Sequence, residues 1–195
     1  MSEVQSSNGK RKLIIIGVIV VIFLSLISSA IGTYNSLVTS QEKIQTSSAN
    51  ISTQLQRRTD LIPNLINTVK GYVKHESEVM TNVTKARQNL MQASNMTDRA
   101  KANEELTQAL HQFNIFVENY PNLKADSSFV RLQDELAGTE NRIATARRDY
   151  NESVRTYNQT IKTFPENIYA SLFNFKPAPY FEAKPGSEEV QDVKF

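Results

Sequence analysis

Cysteine is absent from this sequence of 195 residues. Its absence excludes disulfide bonds, thiolate nucleophiles and zinc sites built on cysteine, and it leaves the redox compartment open. Glycine and proline are scarce, at six residues each, which is typical of a helical protein. The glycines are scattered, so the sequence has neither a glycine-rich phosphate loop nor the Gly-x-Ser-x-Gly elbow of a serine hydrolase.

Net charge is also absent from most of the chain. The formal net charge of +2 comes from the start of the sequence, where Lys10, Arg11 and Lys12 are opposed only by Glu3. The sequence from Leu13 onward sums to zero. A neutral body lacks the basic surface with which proteins bind nucleic acid, so we expect no nucleic-acid partner.

No charged residue occurs from Leu13 until Glu42, and residues 13–27 are apolar except for Ser25. About 20 apolar residues suffice for a transmembrane helix, so we predict a transmembrane anchor over residues 13–32. The alternative is a cleaved signal peptide, since Ser28-Ser29-Ala30 is an acceptable cleavage site. The long apolar core and the helical pattern continuing past residue 30 favour an uncleaved signal-anchor. The positive-inside rule then places residues 1–12, of which 1–9 are expected to be disordered, in the cytoplasm and the rest outside the cell membrane.

Between residues 129 and 164, large apolar residues recur at every seventh position, as in a coiled coil. These seam residues are Phe129, Leu136, Ile143, Tyr150, Tyr157 and Phe164. A helix of this length spans about 55 Å and cannot bury its seam alone. We therefore predict antiparallel partner helices upstream, with Asp126, Ser127 or Ser128 capping the start of this longest helix.

Two readings of the upstream helices remain open. In the first, a helix ends near Arg57-Arg58 and Thr59-Asp60 caps the next helix, with Pro63 in its first turn. In the second, the apolar phase continues across Pro63 in one kinked helix, which would leave three long segments and carry Phe164 far from the membrane. A further helix, capped by Thr97 or Asp98, is expected to stop at the turn before Pro121.

These patterns together predict an all-α fold. We expect an antiparallel four-helix bundle domain at residues 33–183, placed behind one N-terminal transmembrane helix. Glu166 to Leu172 are expected to add a turn or two after the bundle. Residues 184–195 are polar and are expected to form a disordered tail.

Two double-arginine sites are candidate functional positions. Their residues are Arg57, Arg58 and Asp60 in the first, and Arg147, Arg148 and Asp149 in the second. Each site predicts either an ion pair between helices or a binding site for an acidic partner segment or a lipid headgroup. Arg58 lies on the apolar row of its helix, and a buried arginine must be paired, so both alternatives require a carboxylate or phosphate nearby.

An aromatic segment follows the longest helix and contains Phe173, Phe175, Tyr180 and Phe181. These rings either cap the open end of the bundle or lie at a membrane interface, where aromatic residues are enriched. Neither histidine has the Glu-x-x-His spacing of a di-iron bundle, because Tyr72 precedes His75 by three positions and Gln108 precedes His111. We expect no metal and no cofactor.

The sequence resembles the LemA family of bacterial membrane-anchored helical proteins. The stretches that carry the resemblance are 34–38 (YNSLV), 54–65 (QLQRRTDLIPNL), 69–72 (VKGY), 75–76 (HE), 120–125 (YPNLKA), 132–136 (LQDEL), 140–144 (ENRIA), 146–151 (ARRDYN) and 179–183 (PYFEA). One departure is Ser47-Ser48, where family members often have alanine and tryptophan. The resemblance implies a helical bundle behind one span, with no catalytic residues to transfer.

The resemblance also bears on function. Family members are often encoded near membrane metalloproteases or other envelope proteins, which implies a role in the envelope. We therefore expect a non-enzymatic scaffold or adaptor for a membrane or envelope partner, with a membrane metalloprotease as one candidate and a homo-oligomer as a possible state. The alternative is an enzyme or metal-binding carrier with a site inside the helical bundle.

Overall fold

The computed structural model describes residues 3–73 and 78–182, and every regular element in these ranges is a helix. The helices are α1 (Glu3–Lys70), α2 (Glu78–Gln92), α3 (Met96–Val117), α4 (Pro121–Lys124), α5 (Ser127–Thr160) and α6 (Glu166–Leu172). The all-α prediction is therefore confirmed. The predicted disordered tail at 184–195 and His75 lie outside the described residues. The helical start at Glu3 differs from the disorder expected at residues 1–9.

Helix α1 contains the apolar segment and continues past Pro63 without ending, so the predicted helix boundary near Arg57-Arg58 is wrong. Proline lacks the N–H that would bond to the carbonyl four residues earlier, which here belongs to Thr59. The Arg87 Nε atom donates to that carbonyl oxygen at 2.7 Å. This side chain from α2 satisfies the group that proline leaves free, and the helix passes through the position.

The described residues form two compact units, one made of residues 1–42 with 156–177 and the other of residues 43–155 with the segment from Ala178 onward. The second unit is the four-helix bundle, built from α1, α2, α3 and α5. Asn89 Nδ2 donates to Glu105 Oε2 at 3.0 Å, and Ser47 Oγ lies 3.3 Å from Ser153 Oγ. Ser52 contacts Arg99, and further along both helices Arg58 contacts Asn103, so residue numbers increase in the same direction along α1 and α3. Helices α1 and α3 are therefore parallel, and α2 and α5 run against them.

The seam of α5 is the core that the seven-residue pattern predicted. In the bundle unit, Phe129, Leu136, Ile143 and Tyr150 are all buried. Burying an aliphatic or aromatic side chain of this size stabilises the folded state by about 1.5–3 kcal/mol. Phe164 is the exception at 75% exposure, because α5 ends at Thr160 before the pattern reaches it.

The helix starts follow local hydrogen bonding. Asp126 caps α5, and its Oδ1 accepts from the backbone N–H groups of Ser128 and Phe129 at 2.9 Å each. Helix α3 is capped two to three residues earlier than predicted: Asn95, rather than Thr97 or Asp98, accepts from the backbone N–H of Asp98 at 2.9 Å. The turn predicted before Pro121 is confirmed, because α3 ends at Val117.

Within the described residues, one helix contains a stretch long and apolar enough to cross a membrane, with a mean hydropathy of 3.0. The large apolar side chains from Leu13 to Ile27 are between 41% and 71% exposed in the isolated protein. Ser25 is the one polar side chain from Leu13 to Ile27, too little to mark a polar face, so the whole circumference requires an apolar surrounding.

Candidate functional site

An aromatic cluster of Tyr34, Phe173 and Phe175 lies just beyond the apolar stretch of α1. The ring centroids of Tyr34 and Phe173 are 5.1 Å apart, and those of Tyr34 and Phe175 are 5.8 Å apart, both in edge-to-face geometry. Such pairs contribute about 0.5–1.5 kcal/mol beyond their buried area. The cluster therefore fixes the chain that follows α6 against the residues that follow the apolar stretch.

The end of α6 places Phe175 in this cluster. Asn174 has a φ of 59°, the left-handed conformation that asparagine tolerates better than most residues. The backbone N–H of Phe175 donates to the Ala170 carbonyl at 2.9 Å, and that of Asn174 donates to the Ser171 carbonyl at 3.2 Å. These two bonds form a Schellman motif, which ends the helix and redirects the chain.

Tyr157 holds the chain after the cluster. Its hydroxyl donates to the Lys176 carbonyl at 3.0 Å and accepts from Gln41 Nε2 at 3.3 Å. Burial raises the pKa of Tyr157, so the hydroxyl stays protonated and keeps its donor role at neutral pH.

The second half of the aromatic segment belongs to the bundle unit and behaves differently. Phe181 is 1% exposed and lies in the core, so this ring cannot contact lipid as the interface reading required. The Asn151 side chain accepts from the Phe181 N–H at 2.8 Å and donates to its carbonyl at 3.3 Å. The Tyr150 hydroxyl donates to the Pro179 carbonyl at 2.9 Å, while Tyr180 itself is 36% exposed.

Arg147, from the second double-arginine site, covers this buried ring. Its guanidinium carbon lies 5.3 Å from the centroid of Phe181. A cation over an aromatic face is attracted by the ring quadrupole, worth about 0.5–1 kcal/mol at exposed sites. Arg147 therefore helps to hold the end of the described chain. Its neighbours Arg148 and Asp149 are exposed and 4.0 Å apart, a separation at which an ion pair adds little.

Arg58 is buried inside the bundle, at 4% exposure. Its Nη1 atom donates to Asn103 Oδ1 at 2.7 Å and lies 2.7 Å from Glu140 Oε2. Burial lowers the pKa of Arg58, and the charges of Glu140 and Glu104 oppose that change. The guanidinium therefore remains protonated and is balanced by a carboxylate, as both readings of this position required.

Hydrogen bonding around Arg58 is incomplete. Among the described residues, Arg58 Nε, Gln54 Oε1 and Glu140 Oε2 are buried atoms without a hydrogen-bond partner. The contact between Glu140 and Arg58 is therefore close enough for an ion pair but is not aligned as a hydrogen bond. The cluster holds a charge at the centre of the bundle without satisfying every polar atom around it.

The remaining residues of the first double-arginine site lie on the surface. Arg57 Nη2 is 2.8 Å from Glu135 Oε2, and both side chains are about half exposed. Asp60 accepts from Gln56 Nε2 at 2.7 Å, within the same helix. Asp60 therefore caps no helix. Although Asp60 is close to Arg58 in the sequence, the two side chains have different partners.

An open groove of about 400 Å³ lies between α1 and α5 in the bundle unit. It is lined by Ser47, Asn50, Gln54, Asn141, Arg142, Thr145, Ala146 and Asp149. Amides, hydroxyls and charges of both signs are typical of the rim of a protein interface rather than of a small-molecule pocket. We refer to it as the α1/α5 groove.

Metal-binding groups are not brought together in the described part of the chain. Within residues 3–73 and 78–182, no three side chains of histidine, aspartate or glutamate are placed to share a metal ion. His111 lies exposed on α3. Among the described residues, His111 therefore belongs to no such group.

Sequence reasoning missed the two partners of Arg58. Asn103 lies seven residues before Leu110 and fourteen before Val117, so the repeat that places those residues in the core could have identified it. Glu140 follows the buried Thr139 and lies beside the seam rather than on it. No spacing rule distinguishes it from Glu135, whose side chain stays on the surface.

Comparison with known proteins identifies relatives along most of the chain. The family model of the LemA family matches residues 47–195. Magnetosome protein MamQ 2 of Paramagnetospirillum magneticum is 27% identical, covering 90% of this chain and 74% of the relative. Magnetosome protein MamQ of Magnetospirillum gryphiswaldense is 23% identical with the same coverage. Protein LemA of Metamycoplasma hominis is 25% identical over 62% of this chain and 56% of its own. None of these names specifies a reaction.

Proposed function

This chain belongs to the LemA family, and from that premise we propose that it is a non-enzymatic, single-pass membrane protein that holds a partner in the bacterial envelope. The observation that carries the proposal is helix α1. An exposed apolar stretch and the first bundle helix belong to one uninterrupted element, Glu3–Lys70. A bundle built directly onto a membrane helix is suited to presenting its surface at a membrane.

The continuity of α1 favours an anchor over a cleaved signal peptide. The helix passes through Ser28-Ser29-Ala30 without a break and continues into the bundle, whereas the apolar core of a signal peptide is a short segment of about 7–15 residues. The basic residues Lys10, Arg11 and Lys12 precede the apolar stretch, which supports a cytoplasmic N-terminus and a bundle on the outer side.

The adaptor role is supported by the surface of the bundle. The α1/α5 groove offers hydrogen-bonding groups and charges of both signs over a concave surface. The buried Arg58 is engaged by Asn103 and Glu140 inside the protein, so it is not presented to an external acidic segment. We propose the groove, rather than the double-arginine sites, as the surface that contacts an envelope protein.

Single-cysteine labelling tests the anchor, since the natural chain has no competing thiol. Ser6→Cys lies before the apolar stretch, and Ala137→Cys lies exposed on α5. With a membrane-impermeant maleimide we expect labelling of Ala137→Cys from the outer side of the membrane and of Ser6→Cys only after lysis. The reverse pattern would contradict the orientation, and a purified chain that begins at Ile31 would contradict the anchor.

Photo-crosslinking in living cells tests the groove. A photoreactive amino acid at Thr145 lies in the α1/α5 groove, while the same amino acid at the adjacent Ala144 is exposed outside it. We expect a discrete crosslinked protein from position 145 and none from position 144. Equal crosslinking at both positions would reject the groove. A stoichiometric metal in the purified chain would favour the alternative of a metal-binding carrier.

A further inference from the structure

We propose that α6 is a second membrane contact, inserted into the lipid interface beside the transmembrane helix through an apolar stripe of Phe164, Ile168 and Leu172. These three side chains are 75%, 56% and 71% exposed, although each is large and apolar. They follow one another at intervals of four residues, which aligns Ile168 and Leu172 on one face of α6. Phe164 precedes this helix by two residues.

The opposite side of α6 is already occupied. Ala170, which is half a turn away from the centre of the stripe, is 2% exposed. The helix therefore has one face packed on the protein and one apolar face directed outward. An outward face with this composition requires an apolar environment that the described protein does not supply.

The height of α6 along the membrane helix identifies that environment. Phe173, the residue after α6, contacts Tyr34 at 5.1 Å between ring centroids. An apolar cavity of about 310 Å³ at this contact is lined by Ile27, Ala30, Ile31, Tyr34 and Phe173. A span of about 20 residues from Leu13 ends at Gly32, so Tyr34 lies only about 3 Å beyond it at 1.5 Å per residue. Helix α6 is thus held at the depth of the lipid headgroups.

Charges flank the stripe in a way that suits an anionic membrane. Lys162 precedes it and Lys176 follows it, and both are exposed. Glu166, in the first turn of α6, is the one acidic residue between them, so the segment keeps a net charge of +1. Basic groups near an anionic bilayer contribute about 1 kcal/mol each, and interfacial helices combine such groups with a buried apolar face. The stripe should lie about 5–10 Å into the boundary between headgroups and acyl chains.

A lipid surface fits the stripe better than a second protein surface. Specific protein interfaces bury at least roughly 1,000 Å², and three side chains on a helix of seven residues provide far less. A bilayer needs no complementary partner surface. The apolar surface near Tyr34 also joins α6 to the apolar stretch of α1. The bilayer that surrounds that stretch would therefore lie next to α6.

Fluorescence quenching of the full chain in vesicles tests this inference, which rests on the proposed membrane anchor. Single cysteines at Gly17, Asn167 and Ile168 are labelled with an environment-sensitive dye. Gly17 lies in the span, where an added Cβ has no neighbour within 4 Å. Asn167 is exposed on α6 and lies about 100° around the helix from Ile168, to one side of the stripe. The vesicles contain phosphatidylcholine, phosphatidylglycerol and a lipid with a nitroxide near the headgroup or deep in the chain.

We expect the dye at Ile168 to lose fluorescence with the shallow nitroxide, the dye at Gly17, which lies about 6 Å inside the span, with both nitroxides, and the dye at Asn167 much less with either. Adding Leu172→Asp should reduce quenching at Ile168 and leave Gly17 unchanged. Quenching at Gly17 with equal, weak quenching at Ile168 and Asn167 overturns the interfacial helix but not the anchor. Loss of quenching at Gly17 rejects the anchor itself. A disulfide between two copies of the unlabelled Ile168→Cys variant, together with no quenching of the labelled one, would assign the stripe to a second copy instead.

Discussion

Glu140 and Glu135 test how burial changes the contribution of an ion pair to the free energy of unfolding. Both lie on α5, and each has a carboxylate oxygen within 2.8 Å of an arginine of α1. Their partners differ: Arg58 is 4% exposed, whereas Arg57 is 53% exposed. Replacing each glutamate by glutamine keeps the size of the side chain and removes its charge. Glu135 also lies 3.9 Å from Arg142 Nη2, an exposed pair that adds little. A larger loss for Glu140→Gln therefore reports the burial of Arg58.

The expected magnitudes follow from the contacts. Removing one partner of a buried pair costs about 3–5 kcal/mol. The Glu140 side chain is 42% exposed and Arg58 keeps its bond to Asn103, so we expect a smaller loss than this for Glu140→Gln. We take about 2–3 kcal/mol, against at most about 1 kcal/mol for the exposed pair in Glu135→Gln.

Thermal unfolding of the full chain in detergent, followed by far-ultraviolet circular dichroism, measures this difference. For a protein of this size, a loss of about 2–3 kcal/mol lowers Tm by roughly 4–12 °C. We expect a fall in that range for Glu140→Gln and a fall below about 4 °C for Glu135→Gln. Equal shifts in the two variants, or a larger one for Glu135→Gln, would refute the conclusion that the protein depends on a charge at Glu140.

Three further predictions concern the core, the end of the chain and the pH response. Ile143→Ala should destabilise the bundle by about 2–5 kcal/mol, while Val130→Ala on the surface of the same helix should stay within about 0.5 kcal/mol, measured by the same melts. Phe181→Ala should cost about 3–5 kcal/mol, because this ring is buried, and a negligible change in Tm would show that the end segment does not pack. The backbone N–H of Phe129, above all, lowers the pKa of Asp126 in the folded protein. The stability that Asp126 contributes is therefore fully present above the ordinary carboxyl pKa of about 3.9, and it is lost as the pH falls through the lower pKa of the folded state. Asp126→Asn, which does not titrate, should therefore lose less stability than the parent between neutral pH and about pH 3, and parallel pH profiles would contradict this.

The repeating core could be predicted from sequence, because each seam residue reports the same local geometry. The seven-residue spacing placed Phe129 through Tyr157 correctly and failed only at Phe164, where the helix had already ended. Helix termination is harder to predict, because it depends on the path of the following chain as well as on local propensity. The same spacing continued across Pro63, and this periodic signal proved more reliable than the local preference of proline.

Features that depend on distant residues could not be predicted in this way. Helix α1 tolerates Pro63 because Arg87 reaches the Thr59 carbonyl from another helix. We also expected a continuous first helix to carry the end of α5 away from the span. That expectation failed, because α2 and α3 are short, at 15 and 22 residues, while α5 has 34 and is long enough to return.

The aromatic segment shows the same limit. Phe173 and Phe181 have the same chemistry and similar surroundings in the sequence, yet one is 41% exposed and the other 1%. Asn151 decides the position of Phe181 through two backbone hydrogen bonds, across 30 residues of sequence. No periodic pattern contains that information.

The charge at Arg58 has a consequence for the alignment of the helices. Because the seam of α5 repeats every seven residues, sliding that helix by one heptad against α1 would leave apolar residues facing apolar residues, and packing alone would discriminate weakly between the two registers. The slip would, however, replace Glu140 opposite Arg58 by Gln133 in one direction and by Arg147 in the other. One alternative leaves the buried cation without a carboxylate and the other opposes it with a like charge. Only one register of the repeat neutralises Arg58, so an incompletely satisfied polar group at the centre of the bundle selects a single alignment from several that the apolar residues would accept.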